Sequence, residues 1–94
     1  MSKTTAEVLK KARARLIEKG WTHGGSGQDG EKLCVALSIH NSTKVYKQAM
    51  AAVDAMHRTT GSHSLATWND VPGRTKRQVL GALDKAIRSE SRKR

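Results

Sequence analysis

Apolar residues recur with helical spacing in three long segments of the chain. A pattern of i, i+4, i+7 and i+8 places such residues on one face of an α-helix, which is typical of a helix packed against a core. The pattern predicts a first helix ending near Lys19, a third from about Lys44 to Arg58, and a last helix from about Lys76. The residues expected on the buried faces are Val8, Leu9, Ala12 and Leu16, then Val45, Ala49, Ala52, Val53 and Met56, and finally Val79, Leu80, Leu83, Ala86 and Ile87.

Polar, Gly and Pro residues mark the expected ends of these helices. Thr4 with Glu7, and Thr75 with Gln78, have the spacing of capping boxes, in which two side chains satisfy free amides at a helix start. Gly20 is expected to stop the first helix, and Thr22 to Gly30 to form a Gly-rich loop. In the segment 68–74, Trp68 is expected to pack against the core while Asn69, Asp70, Pro72 and Gly73 reverse the chain.

The apolar run Leu33–Ile39 is too short for its periodicity to distinguish a buried helix from a buried strand. No second strand-like run is available to pair with it. Asn41, Ser42 and Thr43 follow as an expected turn, and Ser64 can cap a single helical turn over residues 65–68.

The segment from Trp68 to Thr75 reads Trp-Asn-Asp-x-Pro-Gly-Arg-Thr, and Val-Leu-x-x-Leu-Asp-x-Ala-Ile follows over Val79–Ile87. These motifs resemble the C-terminal half of a small uncharacterised family of actinobacteria and their phages, domain of unknown function 6197. Leu16–Trp21, Asp29 and Cys34 fit the same family, so that the resemblance extends from about Ala6 to Ile87. It implies a compact helical domain, a helix at 33–39 and no established activity. The chain departs from the family at Ser38–His40, where family members commonly have a helix of small residues, Gly and Ala, with an Arg.

We therefore expect an all-α fold, a single-domain bundle of about four helices with a short fifth turn and a Gly-rich loop after the first helix. The domain is expected to span residues 1–94, with an ordered core at about 4–88 and a flexible basic tail at 89–94. One Cys in 94 residues excludes an intramolecular disulfide and suits a reducing compartment. No apolar run is long enough to span a bilayer or to act as a signal peptide, which predicts a cytoplasmic protein, in the host cytoplasm if a phage encodes it.

The net charge of +10 is concentrated at the two ends of the chain. Residues 1–20 carry a net charge of +4 and residues 71–94 carry +6, whereas acidic and basic residues balance over 21–70. If the two terminal helices lie side by side, they form one positive surface, as expected of a polyanion-binding protein. The alternative is a soluble protein whose basic helices are merely solvated.

The start of the last helix offers the strongest candidate contacts with nucleic acid, because free amides and cations there attract anions. Arg74, Lys76 and Arg77 are expected to contact DNA, together with Lys10 and Arg13 of the first helix and Arg88 of the last. The alternative is that Arg74 and Thr75 serve only the turn and the cap, among solvated basic neighbours. A second function class is an adaptor or inhibitor, phage-encoded, that binds an acidic host protein.

The histidines and the cysteine do not form a recognisable catalytic or metal-binding motif. None of the four His residues pairs with another His or with Cys34 at the spacing of a zinc site, and Cys34 lies in an apolar run that predicts a buried, unreactive thiol. We therefore expect a non-enzymatic protein that needs no metal or cofactor. The sequence specifies neither an oligomeric interface nor which polyanion is bound.

Overall fold

Five helices form in the part of the chain that the computed structural model describes, residues 2–23 and 32–92. The helices are α1 (Ser2–Lys19), α2 (Val35–His40), α3 (Tyr46–Thr60), α4 (Leu65–Asn69) and α5 (Lys76–Ser91). Extended pairing within these residues is limited to an isolated bridge between Trp21 and Leu33. The predicted all-α bundle is thus confirmed, and the apolar run after Leu33 is helical.

Local signals set several helix ends as predicted. Thr75 Oγ1 accepts a hydrogen bond from the Gln78 amide at 3.2 Å, and the Thr75 amide donates to Gln78 Oε1 at 3.0 Å, which completes the capping box of α5. The amide of Gly20 donates to Leu16 O at 2.9 Å with a φ of +96°, a left-handed conformation that glycine adopts readily. Ser64 caps the short helix α4.

Two predictions at the first and third helix starts are wrong. Thr4 does not cap α1, because the helix already begins at Ser2. Val45 is not on the buried face of α3, because it is the extended N-cap residue that precedes the helix, and it is 49% exposed. The other four apolar residues assigned to this face are buried.

Helix α5 continues past residue 88, where the flexible tail was expected to begin. Glu90 is buried in its last turn and accepts a hydrogen bond from Arg58 Nη2 of α3 at 3.3 Å. This contact ties the end of α5 to a second helix, and residues 89–91 are therefore part of the fold. The remainder of the predicted tail, 93–94, and most of the Gly-rich loop, 24–30, lie outside the described residues.

Helix α1 contacts α2, α3 and α5, and its most extensive contact is with α5. Its apolar face forms the centre of the core together with the faces of α3 and α5, as the helical spacing predicted. Among the described residues, the largest fully buried apolar side chains are Leu9, Leu16, Val35, Ile39, Met56, Val79 and Leu83.

Candidate nucleic-acid interface

An ion pair joins the two terminal helices across their contact. Arg13 Nε of α1 lies 2.7 Å from Asp84 Oδ1 of α5, and Arg13 Nη2 donates to Asp84 Oδ2 at 3.4 Å. Both side chains are more than one-third exposed, so that water screens the attraction and the pair contributes at most about 1 kcal/mol to stability. Its main effect is to hold the two side chains in register across the helix contact.

Two shallow grooves lie along this helix contact and share Arg13 and Asp84. We call their combined lining, extended by Arg88, the α1–α5 surface. The first groove is lined by Lys10, Arg13, Ala14, Ile17, Glu18, Asp84 and Ile87. The second is lined by Arg13, Lys76, Arg77, Leu80, Gly81 and Asp84. The structure therefore brings together four of the six predicted site residues, namely Lys10, Arg13, Lys76 and Arg77.

The helical geometry of α5 places the fifth predicted residue, Arg88, beside the two grooves. At 100° per residue, Arg77, Asp84 and Arg88 lie within about 40° of one another around the helix axis. Asp84 faces α1, as its ion pair with Arg13 shows. The exposed side chain of Arg88 therefore extends the α1–α5 surface by one further turn.

The sixth predicted residue, Arg74, is occupied by contacts within the protein. Its Cζ atom lies 4.0 Å from the centroid of the Trp68 ring, and its Nε donates to the carbonyl oxygen of Trp68 at 2.9 Å. Trp68 is partly buried and packs against the core, in agreement with its predicted role. These contacts favour a structural role for Arg74, in which it holds the turn between α4 and α5.

Arg74→Lys tests this structural role, because lysine keeps the charge but lacks both the planar guanidinium and the Nε donor. We expect the free energy of unfolding to fall by about 1–2 kcal/mol, as measured by urea denaturation, with little change in affinity for DNA. Arg77→Lys, at an exposed position, is the matched control and should leave stability unchanged. A loss of DNA affinity without a loss of stability would instead place Arg74 in the interface.

Asn69 is the polar residue that sequence reasoning misjudged. The sequence predicts that it helps to reverse the chain in a turn, but it lies at the end of α4 with its side chain fully buried. Its Oδ1 accepts hydrogen bonds from Trp21 Nε1 at 2.6 Å and from the Val35 amide at 3.0 Å. Its Nδ2 donates to the carbonyl oxygen of Thr22 at 3.1 Å. One side chain thus connects the end of α1, the start of α2 and α4.

Two other cations of α1, Lys11 and Arg15, do not line the α1–α5 surface. Lys11 and Arg15 lie beside the α2–α3 connection, where they share a hollow with His40 and Lys44. The positive charge of the terminal helices is therefore divided between two surfaces instead of forming one. The sequence analysis did not select Lys44 as a candidate site residue, because acidic and basic residues balance in number over 21–70. In the folded chain, however, Lys44 lies in a hollow that contains no acidic residue.

The cysteine and two histidines contact neighbouring groups in the structure. Cys34 is partly buried and caps the start of α2, where its Sγ atom accepts a hydrogen bond from the Leu37 amide at 3.4 Å. His57 Nε2 accepts a hydrogen bond from the Leu65 amide at 3.0 Å. The ring of His23 lies edge-on to that of Trp21, with centroids 4.9 Å apart. Within residues 2–23 and 32–92 no three His, Cys, Asp or Glu side chains are grouped to hold a metal ion.

Comparison with known proteins identifies a family. A family model described as "Family of unknown function (DUF6197)" matches residues 1–89. Neither the curated proteins nor the solved structures contain a significant match. In the described part of the chain, every helix is too short or too polar to cross a membrane.

Proposed function

The chain belongs to DUF6197, a family of unknown function, and within it we propose that this protein is a non-enzymatic, cytoplasmic DNA-binding protein that contacts the duplex through the α1–α5 surface. The observation that supports the proposal is the convergence of cations from both ends of the chain on one pair of helices. Such a surface attracts the closely spaced phosphates of DNA and gains free energy by releasing their counterions.

Four cations of this surface are available for phosphate contacts. In the described part of the chain, Lys10, Lys76, Arg77 and Arg88 have no ion-pair partner, whereas Arg13 is paired with Asp84. Lys76 and Arg77 form the first turn of α5, where the helix dipole and free amides add to their attraction for an anion. The arrangement favours contacts with the sugar-phosphate backbone, which position a protein on DNA without reading its sequence.

A salt titration tests the proposal on the unmodified protein. We expect a fluorescein-labelled duplex to bind at low salt, with log K falling linearly against log salt concentration at a slope of about −3 to −4 for four phosphate contacts. Fluorescence anisotropy measures the affinity, and duplexes of unrelated sequence should bind equally. Absence of binding at low salt would overturn the proposal, because phosphate contacts are strongest there.

An adaptor or inhibitor of an acidic host protein, phage-encoded, is the second candidate. The observation that favours it is Ile17, which is 50% exposed in the first groove beside the partly buried Ile87. An apolar strip among cations suits an acidic partner with one apolar face. A pulldown from nuclease-treated lysate distinguishes the two candidates. The adaptor is supported if a stoichiometric acidic protein is captured by the unmodified protein and no longer by the Ile17→Asp variant. DNA binding is supported if nuclease treatment removes all partners.

A further inference from the structure

A hollow of about 550 Å³ lies between α1 and the connection of α2 to α3, on the side of α1 away from the α1–α5 surface. Lys11 and Arg13 are about 160° apart around the helix axis, so that the two surfaces face different directions. The lining contains three cations and a histidine but no carboxylate: Lys11, Arg15, His40, Asn41, Ser42, Thr43 and Lys44. Glu7 of α1 lines an adjoining groove together with Lys11.

The cations of this hollow are free to bind an anion. Within the described residues, Lys11, Arg15, His40 and Lys44 take part in no ion pair. Lys11 and Arg15 are one helical turn apart and project from the same side of α1. Because each is exposed, contact with a phosphate requires little desolvation of the protein.

An exposed aromatic side chain stands at the same end of α3. Tyr46 is 70% exposed, and it lies two residues after Lys44 and directly before Lys47. The backbone leading to it is held in place, because Thr43 Oγ1 accepts from the Val45 amide at 3.1 Å and bonds to Gln48 Oε1 at 2.8 Å. The ring is largely exposed to solvent and contributes little to the core, and it belongs to the residue two positions after Lys44, which lines the hollow.

We propose that Tyr46 and the cations of this hollow form a binding site for single-stranded nucleic acid, separate from the α1–α5 surface. Aromatic rings stack on unpaired bases while neighbouring Lys and Arg residues contact the phosphates, a combination that binds single strands with little sequence preference. A duplex hides the faces of its bases within the helical stack. The Tyr46 ring therefore favours the single strand.

Substitution of Tyr46 tests the stacking contact. The ligand is a fluorescein-labelled oligothymidylate of about 12 nucleotides, compared with a duplex of the same length, with affinity measured by anisotropy. Tyr46→Ala should weaken binding of the single strand about fivefold or more and leave duplex binding within about twofold, whereas Tyr46→Phe should retain both. Equal single-strand affinities for the Ala variant and the unmodified protein would overturn the proposal. Thermal unfolding checks that each variant is folded.

A second pair of variants tests the phosphate contacts. Lys11→Gln/Arg15→Gln/Lys44→Gln removes three charges from the hollow, and Lys76→Gln/Arg77→Gln/Arg88→Gln removes three from the α1–α5 surface. We expect the first to reduce the salt slope of single-strand binding by about 2 and to weaken it more than the second does. Equal weakening would show that net charge alone sets the affinity and would refute this site. If the unmodified protein binds the single strand but not the duplex, only the α1–α5 proposal is refuted.

Discussion

Asn69→Ala should lower the free energy of unfolding by about 3–5 kcal/mol, the largest effect on stability that we expect from a single substitution of a polar residue in this protein. The substitution removes the acceptor for Trp21 Nε1 and the Val35 amide and the donor to Thr22 O. Each group left without a partner inside the protein costs about 1–3 kcal/mol. Since domains of this size are stable by roughly 5–15 kcal/mol, the variant should lose a large fraction of its stability.

Urea denaturation followed by tryptophan fluorescence measures this effect. Asn41→Ala is the matched control, because Asn41 is exposed at the end of α2 and caps the helix through its backbone amide alone. The control should change stability by less than about 0.5 kcal/mol. If Asn69→Ala is as stable as the control, the buried amide does not hold the three segments together.

Lys10→Gln/Lys76→Gln/Arg77→Gln/Arg88→Gln should weaken duplex binding about 100-fold at low salt and reduce the salt slope by about 3–4. The expected loss is large because the four side chains supply all of the phosphate contacts in the proposed interface. Folding should be preserved, since these side chains take part in no ion pair of the described residues.

The matched control removes the same number of charges, three from the hollow between α1 and the α2–α3 connection and one from Lys47 of α3. Lys11→Gln/Arg15→Gln/Lys44→Gln/Lys47→Gln leaves the protein with the same net charge as the first variant. We expect its affinity for a duplex to fall by less than about tenfold, through the general loss of positive potential. Similar losses in both variants would argue against a localised interface.

The main helices were predictable because their signals are local. The faces of α1 and α5 repeat apolar residues at helical spacing, and the Thr75–Gln78 capping box needs only side chains three residues apart. The error at the start of α1 arose because a capping-box spacing can occur inside a helix as well as at its start. Thr4 and Glu7 satisfy the spacing of a capping box, but the chain enters the helix two residues earlier.

The candidate sites were only partly predictable. Charge partition along the chain indicated that the terminal helices would supply the cations, and α1 and α5 do lie together. The sequence could not show that Arg13 pairs with Asp84 and Arg74 with Trp68, because these partners depend on the helix contact and on the course of the turn. Nor could it show that Lys44 joins Lys11 and Arg15, which are distant in sequence.

The sequence by itself determined the helical class, three of the helix faces and the family of this protein. Helical periodicity, helix caps and the Trp68–Thr75 motif each depend only on residues that are close together in the sequence. Only the tertiary structure decided which polar residues make contacts between distant segments of the chain. The side chain of Asn69 is buried and connects three chain segments through its hydrogen bonds because these segments converge on it. Basic residues of α1 lie on two separate surfaces because neighbouring helices cover the apolar side of α1. Local sequence patterns carry no information about these contacts, which arise from segments that meet only in the folded chain.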